Sequence, residues 1–147
     1  MSASRFFKLR NSPRGWDSPP LVWVVHARHG GCAGPHPSYE WQALGGPSSC
    51  RYYAAGELGP ARWWAEATTE LRVPVPKLHT FAYLFADHAR NLGSSRDLTG
   101  EPQELYSKPG KGTSTGVGLR MGPMRLEWCR EGLKGPHTWL LNFGEPF

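Results

Sequence analysis

No two lysines or arginines stand side by side in these 147 residues, although the chain carries 17 of them against 12 acidic residues, a net charge of +5. A dedicated nucleic-acid arm is therefore not indicated, while a scattered basic surface still admits nucleic acid, an anionic membrane or an acidic protein as partner. No apolar run approaches the roughly 18 residues of a membrane-spanning helix, which reads as a soluble or peripheral protein. Cysteine is scarce. Cys32, Cys50 and Cys129 are odd in number and form no Cys-x-x-Cys pair, so reduced thiols are expected in place of a disulfide framework. There is no Gly-x-Ser-x-Gly elbow and no His-Glu-x-x-His. The Lys111 to Gly118 stretch fails as a phosphate loop because Leu105 stands where Walker A needs its first glycine. That stretch reads as a flexible linker. No catalytic residue and no cofactor is expected.

What the chain has is 18 glycines, 14 prolines and seven tryptophans. The first two shorten regular elements and the last supplies large apolar groups, so the composition suits a chain that completes its core against a partner. The best-patterned stretch runs from Tyr39 to Arg90. Aromatic segments around Trp41, at Arg51-Tyr52-Tyr53 and at Arg62-Trp63-Trp64 are separated by Gly/Pro/Ser breaks, as in a small antiparallel sheet. From Pro76 to Arg90, Leu78, Phe81, Ala82, Phe85 and Ala89 recur at steps of three and four, with Gly93 beyond them, and predict a helix. The expected class is α+β, about three strands with one packed helix, flanked by long irregular extensions. The expected organisation is a basic N-terminal extension over 1–38, the core over 39–93, and a strap and apolar tail over 94–147. Tyr52-Tyr53 and Trp63-Trp64 would place rings on both faces of the sheet, because neighbouring strand residues point opposite ways.

Outside that core, residues 1–16 contain Ser, Arg and Lys but no acid, the composition of a mitochondrial targeting segment. Leu21 to Val25 is β-prone and reads as an edge strand after Pro19-Pro20. His26, His29, Cys32 and His36 are zinc-ligand types, yet their spacing matches no familiar finger and an irregular loop is the better reading. Asp87 and His88 on the expected helix diverge by about 100° and make no catalytic pair. Met124, Leu126 and Trp128 alternate as in a strand, although Met124, Trp128 and Cys129 also share a helical face. Trp139, Leu140, Leu141 and Phe143 form a second apolar knot, and such a tail should dock.

Several blocks resemble a known family. Arg51-Tyr52-Tyr53, Arg62-Trp63-Trp64, Pro74-Val75-Pro76-Lys77-Leu78-His79 and Asp97-Leu98-Thr99-Gly100-Glu101-Pro102 follow the order and spacing of motifs in the alpha subcomplex subunit twelve family, an accessory subunit of mitochondrial NADH:ubiquinone oxidoreductase. The resemblance implies a non-catalytic structural subunit on the matrix side of the inner membrane, with other complex I subunits as partners. Tyr52, Tyr53, Trp63, Trp64, His79, Leu98, Thr99, Gly100 and Pro102 would carry its fold and interface. The alternative is an organellar ribosomal or other nucleic-acid-binding protein, with bases stacking on aromatics near Arg51 and Arg62.

Overall fold

In the computed structural model the described residues are 1–10, 20–34, 40–75, 80–93 and 110–144. Among them there are nine strands and no helix: β1 (Ser2–Arg10), β2 (Leu21–Gly31), β3 (Gln42–Leu44), β4 (Gly59–Ala61), β5 (Trp63–Val75), β6 (Thr80–Asn91), β7 (Lys111–Met121), β8 (Met124–Glu131) and β9 (His137–Phe143). Seven form one sheet in the order β1-β2-β5-β6-β7-β8-β9, every pairing antiparallel, and β3 pairs with β4 as a separate ribbon. The architecture is an up-and-down meander with one insert, residues 32–62, between β2 and β5. The α+β expectation is thus corrected to all-antiparallel β.

The expected helix is replaced by β6, which pairs along its whole length with β5, from Trp64↔Asn91 to Val75↔Thr80. Apolar residues at 81, 82, 85 and 89 suit a helix face, but Phe81, Tyr83, Phe85 and Ala89 also lie on one side of a strand, with Ala82, Leu84 and Ala86 on the other. A segment apolar on both sides satisfies both periods, and twelve residues of pairing decide between them. The Lys111 to Gly118 linker is likewise strand β7. Gly116 and Gly118 lie opposite Phe85 and Tyr83, whose rings pack over them. A Cβ on Gly116 would stand 2.6 Å from the Phe85 ring, so these glycines make room for aromatics. Leu21 to Val25 lies inside the sheet, flanked by β1 and β5, and the acid-free start of the chain is strand β1.

Register sorts the side chains into two faces of opposite character. On β5, Glu66, Thr68, Glu70 and Arg72 share the face covered by the insert, here the inner face, while Ala65, Ala67, Leu71 and Val73 point away. The outer face continues across the sheet through Phe7, Trp23, Leu71, Leu84, Val117, Trp128 and Trp139, one cross-strand row. It is left open. Leu84 is 53% exposed, Trp139 65% and Phe143 69%. Even the polar atom of Trp23 is satisfied on that face, its Nε1 donating to Thr69 Oγ1 at 2.6 Å. Every carboxylate of the described strands thus lies on the inner face while the open outer face is largely apolar, the reverse of a water-soluble sheet.

Candidate functional site: an ionic clasp under the insert

The insert folds back over the inner face. Its β3–β4 ribbon frames residues 45–58, where Gly45 and Gly46 take φ of 101° and 102° to turn the chain inward. Leu44, Cys50, Tyr53, Leu58 and Ala61 then pack into one cluster with Ala89 of β6, with Tyr52 and Trp64 against its side. This apolar plug delivers Arg51 to the middle of the sheet. Its side chain is 1% exposed and faces three carboxylates from three strands: Glu70 of β5, Asp87 of β6 and Glu127 of β8.

Each end of that guanidinium has its own acceptor. Arg51 donates through one terminal nitrogen to Glu70 and through the other to Glu127 Oε1 at 3.1 Å, while its Nε lies 3.4 Å from Asp87 Oδ2. The Arg51 backbone N–H also donates to Asp87 Oδ2 at 3.2 Å, as does the Ser114 hydroxyl at 3.0 Å. Glu127 further accepts from Tyr83 Oη at 2.7 Å and from Asn142 Nδ2 at 2.7 Å. The Phe85 ring lies 4.1 Å below the guanidinium carbon, a cation–π contact that uses the space left by Gly116. Arg72 and Arg125 pair with Glu70 and Glu127, so three guanidiniums balance three carboxylates. Nearer the rim, Arg28 and the Ser49 hydroxyl both donate to Glu66, and Tyr53 Oη donates to Glu131 at 3.1 Å.

Electrostatics favour the charged clasp. Burial by itself would lower the Arg51 pKa, but Asp87, Glu70 and Glu127 outweigh it and hold the guanidinium firmly charged. Burial, reinforced by Glu131, pushes the Tyr53 phenol up, so it stays a donor. Burial, assisted by Asp87, also pushes the Cys50 thiol from 9.0 up to about 12. Cys50 should therefore react with iodoacetamide at pH 8 about a thousandfold more slowly than an ordinary thiol, with half-exposed Cys32 as the internal comparison. Because ionisation is disfavoured in the fold, this contribution to stability is whole below pH 9 and falls away as pH rises toward 12. Rapid alkylation of Cys50 in the folded protein would contradict the docked insert.

The arrangement fastens a loop to a wall. Of the residues singled out from sequence, Tyr52 and Tyr53 lie in the turns of the insert, not in a strand, with their rings edge-to-face at 5.2 Å. Trp64 points inward, where Arg28 lies 5.6 Å from its ring. Trp63 begins β5 on the outer face and is 45% exposed. His79, Leu98, Thr99, Gly100 and Pro102 lie outside the described residues. The His26/His29/Cys32/His36 stretch is mostly strand β2, not a loop. His26 faces inward onto Ser4 Oγ at 2.6 Å, His29 faces outward, and His36 is outside the described residues, so the first two cannot share an ion. Sequence alone does not single out Glu70 or Glu127, presents Asp87 only as the neighbour of His88, and does not mark Arg51 as the charge that the three surround. The available signal is the run Glu66, Thr68, Glu70, Arg72, a polar period of two interleaved with Ala67, Thr69 and Leu71.

The model of the Omp85 superfamily domain matches residues 8–144. The chain belongs to the Omp85 superfamily. Among its relatives, Protein TOC75-4, chloroplastic, of Arabidopsis thaliana is 43% identical across all of this chain and 37% of its own length. Protein TOC75, chloroplastic, of Pisum sativum is 39% identical across all of this chain and 18% of its own. Outer envelope protein 39, chloroplastic, of Arabidopsis thaliana is 40% identical over 75% of this chain and 31% of its own. The chain thus spans well under half the length of these relatives. Membership of the Omp85 superfamily overturns the complex I resemblance, and with it the mitochondrial inner-membrane location and the complex I partners, since the relatives carry chloroplast names. The four matching blocks were short, and two of them, around 76–79 and 97–102, fall where the structure describes nothing. The ribosomal alternative falls with it: Arg51, the cation meant for a nucleic-acid platform, is enclosed by three carboxylates of its own chain.

Proposed function

We propose that these residues form seven adjoining strands in the wall of a β-barrel in the outer envelope of a plastid, part of a pore that passes polypeptides across or into that membrane. The observation that carries the barrel is the inverted sheet. Strands β2, β5, β6 and β7 have 11, 13, 12 and 11 residues, enough for the 9–11 that a tilted strand needs to cross a bilayer. The alternation of apolar-out and polar-in is clearest on β5, with Glu66, Thr68, Glu70 and Arg72 inside, while β6 is apolar on both faces around its inward Asp87. No helix among the described residues is long and apolar enough to cross a membrane, and none is needed, because strands cross with short alternating segments that a search for long apolar runs does not see. Edges β1 and β9 would be closed by further strands, since open edges are not tolerated in hydrocarbon. The polypeptide cargo and the plastid envelope rest on the superfamily and the relatives alone. The chain's contribution in this reading is a shaped, gated wall, without bond chemistry.

The test is reconstitution of the protein into lipid vesicles and planar bilayers. A heat-modifiable band on a gel, strands shielded from protease, and ion conductance reduced by an added unfolded polypeptide are the expected results. A protein that stays in the aqueous phase overturns the barrel; a conducting barrel indifferent to polypeptide overturns the cargo.

A further inference from the structure

The charges of the sheet are segregated by face. Every carboxylate in the described strands, Glu66, Glu70, Asp87, Glu127 and Glu131, lies on the inner face. The outer face carries Arg5, Arg90, Lys111 and Arg130 toward the end of the sheet where the insert begins, with no acid among its described residues. Arg90 and Lys111 are directly opposed on β6 and β7 and both point outward. Like charges facing each other across neighbouring strands are destabilising by themselves. An anion between them removes the penalty.

Beside this pair the outer wall is hollow. Ala3, Ala27 and Ala67 occupy one cross-strand row, with Ala65 next to it, and their small side chains floor a groove of about 580 Å³ bordered by His29, His88 and Arg90; the Glu66 carboxylate that also reaches its lining is neutralised by Arg28. A methyl floor running into a cationic rim, on a wall that faces lipid, matches an amphiphile with an acyl chain and an anionic head. We propose that this groove binds an anionic glycerolipid of the surrounding bilayer, its acyl chain on the alanine floor and its headgroup phosphate or sulfonate on Arg90, with Lys111 and His29 alongside. The inference rests on the barrel reading above. It adds to that reading a place where lipid composition is sensed, because the insert that carries Arg51 springs from the same end of the sheet, just beyond Gly31 and Trp63.

The test uses the full protein inserted in vesicles of phosphatidylcholine alone or with phosphatidylglycerol, followed by native mass spectrometry of the lipids it retains. Heat-modifiable mobility reports insertion independently. Inserted wild type should retain phosphatidylglycerol in preference to phosphatidylcholine. R90Q should lose about fivefold of that preference, the worth of one basic side chain at an anionic surface, and R90K should restore it. A67L should reduce retention by filling the floor while leaving every charge in place. Equal retention of both lipids by inserted wild type would overturn the lipid site and leave the barrel standing. Displacement of the lipid by soluble glycerol phosphate would overturn it in favour of a free anion. Failure of wild type to insert at all would remove the barrel reading beneath it.

Discussion

Replacing Arg51 by Ala should free the insert from the wall. The substitution leaves Glu70, Asp87 and Glu127 buried with their common cation gone, the situation in which breaking a buried ion pair costs about 3 to 5 kcal/mol. The lower figure is already more than a hundredfold in the population of the undocked form. The rest of its hold is the Leu44–Tyr53–Leu58 cluster, the contacts of Ser49 and Tyr53 with Glu66 and Glu131, and the donations of Arg28 to Ser48 O and of Asn91 to Pro60 O. Limited proteolysis within 45–58 should accelerate by at least that factor, and Cys50 should become open to alkylation at the same time. Lys at this position should recover only part of the effect, because an ammonium cannot present separate donors along a fork to three carboxylates. An R51A protein with its insert as resistant as wild type would remove the clasp from the account.

Leu84→Arg tests the other face. Leu84 is 53% exposed and its outward neighbours across the strands are Leu71 and Val117. In a water-soluble protein such a surface change stays within about 0.5 kcal/mol. On the lipid side of a barrel, near the middle of the bilayer, it should cost about 2 to 4 kcal/mol. Urea titration of vesicle-inserted protein reads the difference directly. A matched change at the rim, Thr113→Arg, should cost far less, because depth in the hydrocarbon sets the penalty. Equal, small effects at both positions would argue that the outer face meets water.

The missing helix and the missing clasp share one cause. Sequence patterning was read with the usual polarity, in which apolar residues mark a core and charged ones a solvated surface. Under that convention Glu66-Ala67-Thr68-Thr69-Glu70-Leu71-Arg72 looks like filler between two aromatic blocks. With the polarity reversed it is the most regular strand in the chain. Arg51 stands out in sequence only as a cation beside aromatics, since nothing local marks it as buried; its three acceptors lie 19, 36 and 76 residues away. The alternation of Met124, Leu126 and Trp128, which the shared helical face of Met124, Trp128 and Cys129 leaves undecided in sequence, is settled as strand β8 by its pairing with β7 and β9.

The sequence by itself determined the local materials. It set the Gly/Pro/Ser breaks on either side of the ribbon, and that apolar and polar residues alternate. Only the tertiary structure decided which face is inside, because alternation has the same period whichever side meets water. The choice is made by long-range pairing and by the insert, which brings one arginine to three carboxylates too costly to bury without it. Once that charge and the plug beside it fill the inner face, Phe7, Trp23, Leu84 and Trp139 are left to the outer one.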